Sequence, residues 1–104
     1  MKIYKYELNI TDKQRIQVPG KHLRPLSVAE QYGKLMLWAI VSDEPPDFRA
    51  NHTELEITII GTGNPAPDLR QVDTFDGMRF IGTVVMSDGL VWHVFAKEVP
   101  ISII

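Results

Sequence analysis

The sequence predicts an all-β fold, either a small antiparallel barrel or a two-sheet sandwich built from hairpins. Three observations carry this expectation. Two runs rich in β-branched and aromatic residues, Arg79 to Ser87 and Leu90 to Phe95, flank Asp88-Gly89, a strong hairpin signal. Apolar and polar residues alternate with period two in several other runs. Turn residues separate these runs at short intervals and leave room for little helix, as in small barrels and sandwiches. A chain of 104 residues is expected to form one domain, 1–104, around one core.

The elements follow in order. Tyr4, Tyr6, Leu8 and Ile10 alternate with Lys5, Glu7 and Asn9, which is a half-buried strand. Thr11-Asp12-Lys13 turns the chain, Gln14 to Val18 alternates again, and Pro19-Gly20 stops it, so these two runs are expected to pair as a hairpin. Leu26–Gln31 and Lys34–Ser42 flank Tyr32-Gly33 and read as strands. Ser27 to Gln31 could instead open a helix with Ser27 as N-cap and Glu30 closing a capping box, but Gly33 arrives too soon for a useful length. Leu35 to Val41 is apolar at every position, as in a strand covered on both faces at a sheet centre or an oligomer contact. Asp43 to Asp47, with two prolines, is a loop. Leu55, Ile57 and Ile59 mark another strand, Gly61 to Pro67 a long irregular loop, and Val72 to Phe75 a short strand turned by Asp76-Gly77. With Asp88-Gly89 as a two-residue loop, Val85 faces Trp92, Val84 faces His93 and Gly82 faces Phe95. The expected core is Leu37, Trp38, Ile57, Ile59, Val85 and Trp92.

Composition narrows the function. A formal net charge of -2 argues against a general nucleic-acid or anionic-membrane binder. The chain has no cysteine, which excludes disulfides, thiolate catalysis and zinc–thiolate sites. Charge interrupts the apolar residues of Met1 to Glu7, so a signal peptide is not expected, and no apolar run is long enough to span a bilayer. The expected setting is the cytoplasm, with no membrane contact.

No stretch assembles a catalytic pair. The serines lie in no nucleophile elbow, the carboxylates are scattered, and His22, His52 and His93 lack metal-ligand spacing. No metal and no cofactor are expected, and an enzyme is not the preferred class. His93 reads as an ordinary surface histidine if Trp92 faces the core. Gly61-Thr62-Gly63-Asn64 follows a strand and could offer bare amides to an anion, but neither a lysine–serine pair nor a helix follows, and a plain turn explains it as well. Lys13, Arg15, Lys21, His22 and Arg24 form a basic cluster that could face an anion or simply water.

Five stretches taken together carry a resemblance: Lys2 to Tyr6, Leu35 to Ala39, Ile60 to Pro65, Phe80 to Val84 and Trp92 to Phe95. In these the chain resembles a family of small uncharacterised proteins encoded by bacteriophages and prophages. The resemblance implies an accessory protein made in the cytoplasm of an infected bacterial host. Proteins of that kind bind host proteins or sequester defence signals, so the expected partner is a host defence protein or a nucleotide-like small molecule. For a phosphate-bearing ligand the candidate binding residues are Thr62, Gly63, Asn64, Arg70 and Arg79, which join loop amides to guanidinium groups. A structural or assembly role in the virion, or a regulatory one, is the alternative. The two-faced apolar strand and the terminal Ile101, Ile103 and Ile104 further predict a homo-oligomer.

Overall fold

The computed structural model describes residues 1–18, 23–42, 52–65 and 78–101. It contains seven strands and, among the described residues, no helix: β1 (Lys2–Leu8), β2 (Lys13–Val18), β3 (Leu23–Gln31), β4 (Lys34–Val41), β5 (His52–Gly61), β6 (Arg79–Val85) and β7 (Val91–Ile101). They form two antiparallel sheets, β1-β4-β3 and β2-β5-β7-β6, which do not close into a barrel. The fold is therefore the sandwich of the two expected architectures. Val72 to Phe75, Asp43 to Asp47 and the terminal Ile103 and Ile104 lie outside the described residues.

Inner faces of the two sheets make one core. Leu35, Leu37, Ala39 and Val41 of β4 meet Leu55, Ile57 and Ile59 of β5 and Val94 and Ala96 of β7. The period of two explains the selection, since alternate residues of each strand point inward. The odd residues of β4 take the core, and Met36, Trp38 and Ile40 fall on the outer face. Trp38 is thus half-buried outside the core. Lys5 donates to Gln31 Oε1 at 2.7 Å, reaching diagonally across β4 from β1 to β3 and covering part of this apolar strand.

Two pairing expectations are corrected. β1 and β2 are not a hairpin: β1 pairs with β4 and β2 with β5, so the chain changes sheet between Leu8 and Lys13. The corner is fixed locally, because the Gln14 side chain bonds both the amide and the carbonyl of Asn9 and Ile59 N donates to Asp12 O. Changing sheet sets Tyr6 and Leu8 in one layer and Ile16 in the other, all against the same core. A hairpin would have placed these residues in one layer.

The β6–β7 register is one residue from the expected one. Val84 faces Trp92, Thr83 faces His93, Gly82 faces Val94, and Phe80 faces Phe95. The loop has three residues, not two: Gly89 N donates to Met86 O at 2.9 Å, Met86 N donates to Leu90 O at 2.8 Å, and Gly89 takes the left-handed conformation at φ 89°. This is a turn closed by a glycine bulge, which Asp-Gly serves as readily as a two-residue loop. The shift buries Val84 and leaves Val85 68% exposed, so Val85 is not in the core. Tyr32-Gly33, by contrast, forms the two-residue hairpin loop, with φ 55° and 77°.

Candidate functional site

The candidate site lies where β3 of one sheet runs beside β6 of the other. Along half of this seam the strands interlock. A Cβ on Gly82 would come within 3.0 Å of Val28 Cγ2, so glycine is what lets the two strands approach. Further on, the Glu30 carboxylate accepts from Ser87 N at 2.8 Å and from Ser87 Oγ at 2.6 Å, clamping the β6–β7 turn to β3.

Toward the start of both strands the seam opens. The β3–β4 register shifts between Pro25 and Ser27, and the β6–β7 register between Phe80 and Gly82. Each bulge adds one residue, Leu26 in β3 and Ile81 in β6, and bulges bend and twist the strand that carries them. The two bulges border the same cleft, of about 650 Å³, whose walls also include Ile40, Phe80, Arg24 and Arg79. Phe80 is 58% exposed, and its ring meets that of Phe95 edge-on at 5.4 Å. Arg79 is held by Glu98 at 2.7 Å, whereas Arg24 has no ion-pair partner among the described residues. A guanidinium carries five donors, so even the paired Arg79 keeps some to offer. Apolar walls with two guanidinium groups suit a ligand that is part apolar ring and part anion.

The five residues proposed for binding do not meet at one place. Thr62, Gly63 and Asn64 form a turn after β5, with Gly63 at φ 88° and Asn64 N donating to Gly61 O at 3.1 Å. Thr62 N donates to Val91 O at 3.2 Å, so two of the three loop amides are already used internally. Arg70 lies outside the described residues. Arg79 pairs with Ala96, whereas the loop meets β7 near Val91, so they are roughly 17 Å apart along the strand. The basic cluster also divides. Arg15 of β2 faces Glu54 and Glu56 at 3.3 and 3.6 Å, Arg24 borders the cleft, and Lys21 and His22 lie outside the described residues.

Two features near the loop were not expected. His93 accepts or donates at both ring nitrogens, with Thr62 Oγ1 2.8 Å from Nε2 and Thr83 Oγ1 2.8 Å from Nδ1. The half-buried ring therefore ties the loop to β6 across β7, a structural strut that engages both nitrogens. Beside the loop is a recess of about 590 Å³ bordered by Asn64, Trp92, Ile10 and Thr58, and the buried Thr58 hydroxyl has no hydrogen-bond partner among the described residues. No group of three or more His, Asp or Glu able to hold a metal occurs among the described residues. No helix among them is long and apolar enough to cross a membrane.

Residues 1–102 match the model of a family described as Domain of unknown function (DUF7352). No curated protein and no solved structure matches the chain.

Proposed function

The chain belongs to the DUF7352 family, and from that premise we propose that it is a non-enzymatic accessory protein of phage origin. It acts in the cytoplasm of the infected host by sequestering a defence component. That component is a nucleotide-like small molecule, held in the cleft between the two bulges. One observation carries this reading: two register bulges, on strands of different sheets, border the same cleft, and Arg24, Arg79 and the exposed Phe80 all line it. An aromatic face stacks on any base, and guanidinium groups take phosphate oxygens in pairs. The cleft volume lies within the range of small-molecule sites. The overall negative charge fits a discrete anion site better than a broad nucleic-acid surface.

Thermal-shift screening against cyclic nucleotides and adenosine-diphosphoribose derivatives tests the reading. A ligand at about 100 times its Kd adds ~2.7 kcal/mol to stability, a rise of roughly 10–20 °C in a domain of this size. The expected result is a rise with one member of the panel that Arg24→Ala abolishes. No rise with any of them would transfer the reading to a host protein as partner.

A further inference from the structure

The sandwich has four strand edges, and they differ in how they are protected. β3 and β6 shield each other along the seam through Val28, Gly82, Glu30 and Ser87. β2 presents Lys13 and Arg15 on its outer face, so pairing with a second β2 centred on Gln14 or Arg15 sets cation against cation. β1 carries Lys5 at its centre, which disfavours self-pairing about that residue, but its Glu7 offers a register in which the charges attract. It is seven residues long, contains neither proline nor bulge, and among the described residues makes its only backbone ladder with β4. Its Ile3 and Tyr4 are 59% and 41% exposed. An unbulged edge of this length is a template for another strand.

We infer that the free edge of β1 pairs antiparallel with β1 of a second copy of this chain, joining two three-stranded sheets into one of six strands. The register follows from geometry and charge. A two-fold axis perpendicular to the sheet keeps the outer face outward, and directly opposite residues share a face. Odd residues of β1 must therefore face odd residues of its partner strand, and even residues even ones. Centring on Lys5 opposes two lysines, and centring on Glu7 opposes two glutamates. Centring on Tyr4 gives the same five-residue overlap as centring on Tyr6 but leaves Lys5 against Ile3. Centring on Tyr6 sets each Lys5 against the other copy's Glu7 on the outer face, and each Tyr4 against the other copy's Leu8 on the inner face. That register alone turns the charges of β1 into two attractive pairs. Lys5 already bonds Gln31 and Glu7 already bonds Lys34, at 2.7 and 2.9 Å. Glu7 keeps lone pairs for the added partner, whereas the Lys5 ammonium, which lies across β4 in the single chain, exchanges its Gln31 bond for the new carboxylate. The interface thus sits on β1, and neither the inner face of β4 nor the chain end is needed for it. It leaves the bulge cleft, on the β3 side of the same sheet, open in both copies.

Charge reversal with rescue tests the register. Sedimentation equilibrium is run at tens of micromolar on the full chain, on Lys5→Glu, on Glu7→Lys, and on the double variant. Wild type is expected to be a dimer. Each single variant replaces two attractive pairs with two repulsive ones and weakens association about tenfold. The double variant recovers wild-type affinity, which generic surface damage would not give. Amide exchange of wild type adds a reading free of substitutions: protection of β1 amides rises with protein concentration. A wild-type monomer, single variants that dimerise like wild type, or a double variant that stays monomeric would each overturn the inference.

Discussion

The two halves of the β3–β6 seam are built from the same pair of strands and behave oppositely. From Val28 to Glu30 the strands run in register with their own partners, and the approach is close enough that a Cβ on Gly82 would press on the Val28 methyl. From Leu23 to Leu26 and from Arg79 to Ile81 each strand carries a bulge, and the strands separate into a cleft. The closed half is an interlock held by packing and one carboxylate clamp. The open half still sends Leu23 into the core, but it also concentrates two arginines and an exposed phenylalanine at the surface. The candidate cleft is thus a place where two ladders slip by one residue.

On this contrast, substitutions in the closed half cost stability, and loss of the exposed Arg24 in the open half does not. Leu37 lies opposite Val28 under the closed half and is fully buried. Leu37→Ala is expected to lose about 2–5 kcal/mol in urea unfolding, the range for a leucine cavity. Gly82→Val forces a side chain against Val28 Cγ2 and should cost about 1–3 kcal/mol, as overpacking does. Glu30→Ala frees the turn amide of Ser87 and removes both bonds of the clamp, for roughly 1 kcal/mol. Its amide-exchange signature should be confined to Ser87 and its neighbours. Arg24→Ala, in the open half, should change stability by less than about 0.5 kcal/mol. A loss of more than that would mean the arginine supports the fold. The smallest effect lies away from the seam. Burial, and secondarily the neighbouring Tyr4, raises the Tyr6 hydroxyl above its ordinary ionisation range. The folded chain therefore holds that proton longer than the unfolded one. The resulting stability is present below about pH 10 and is lost as pH rises through the folded value. Tyr6→Phe should flatten that decline.

Much of the fold was legible in the sequence, and the reasons differ from element to element. Alternation identified β1, β2 and β5, and Tyr32-Gly33 marked the β3–β4 turn, because side-chain period and turn chemistry are local properties. The sheet change between β1 and β2 was not legible. Asn9 to Asp12 reads equally well as a hairpin turn, and only the bonds from Gln14 and Ile59 make it a corner. The one-residue register of β6 on β7 was lost for a similar reason, since Asp88-Gly89 serves two loop lengths.

The candidate cleft was the least legible feature. Arg79 was singled out, but for a loop it does not reach, and Arg24 was placed with a basic cluster that the fold divides. Leu26 and Ile81 are ordinary apolar residues, and the sign of each bulge lay in its neighbour, Pro25 before Leu26 and Gly82 after Ile81. A bulge arises when two ladders must both satisfy the core, which is a tertiary condition. His93 was read as an ordinary surface residue because its two threonine partners come from other strands and loops.

The most direct test of the account is a titration followed by amide chemical shifts. The wild-type chain is titrated with the adenosine-diphosphoribose derivative or cyclic nucleotide that gives the largest thermal shift. The account predicts that perturbations cluster on both bulges, at Arg24, Leu26, Phe80 and Ile81, and that Arg24→Ala removes them while its spectrum stays folded. Perturbations centred on Thr62 to Asn64, with the bulges unmoved, would contradict it.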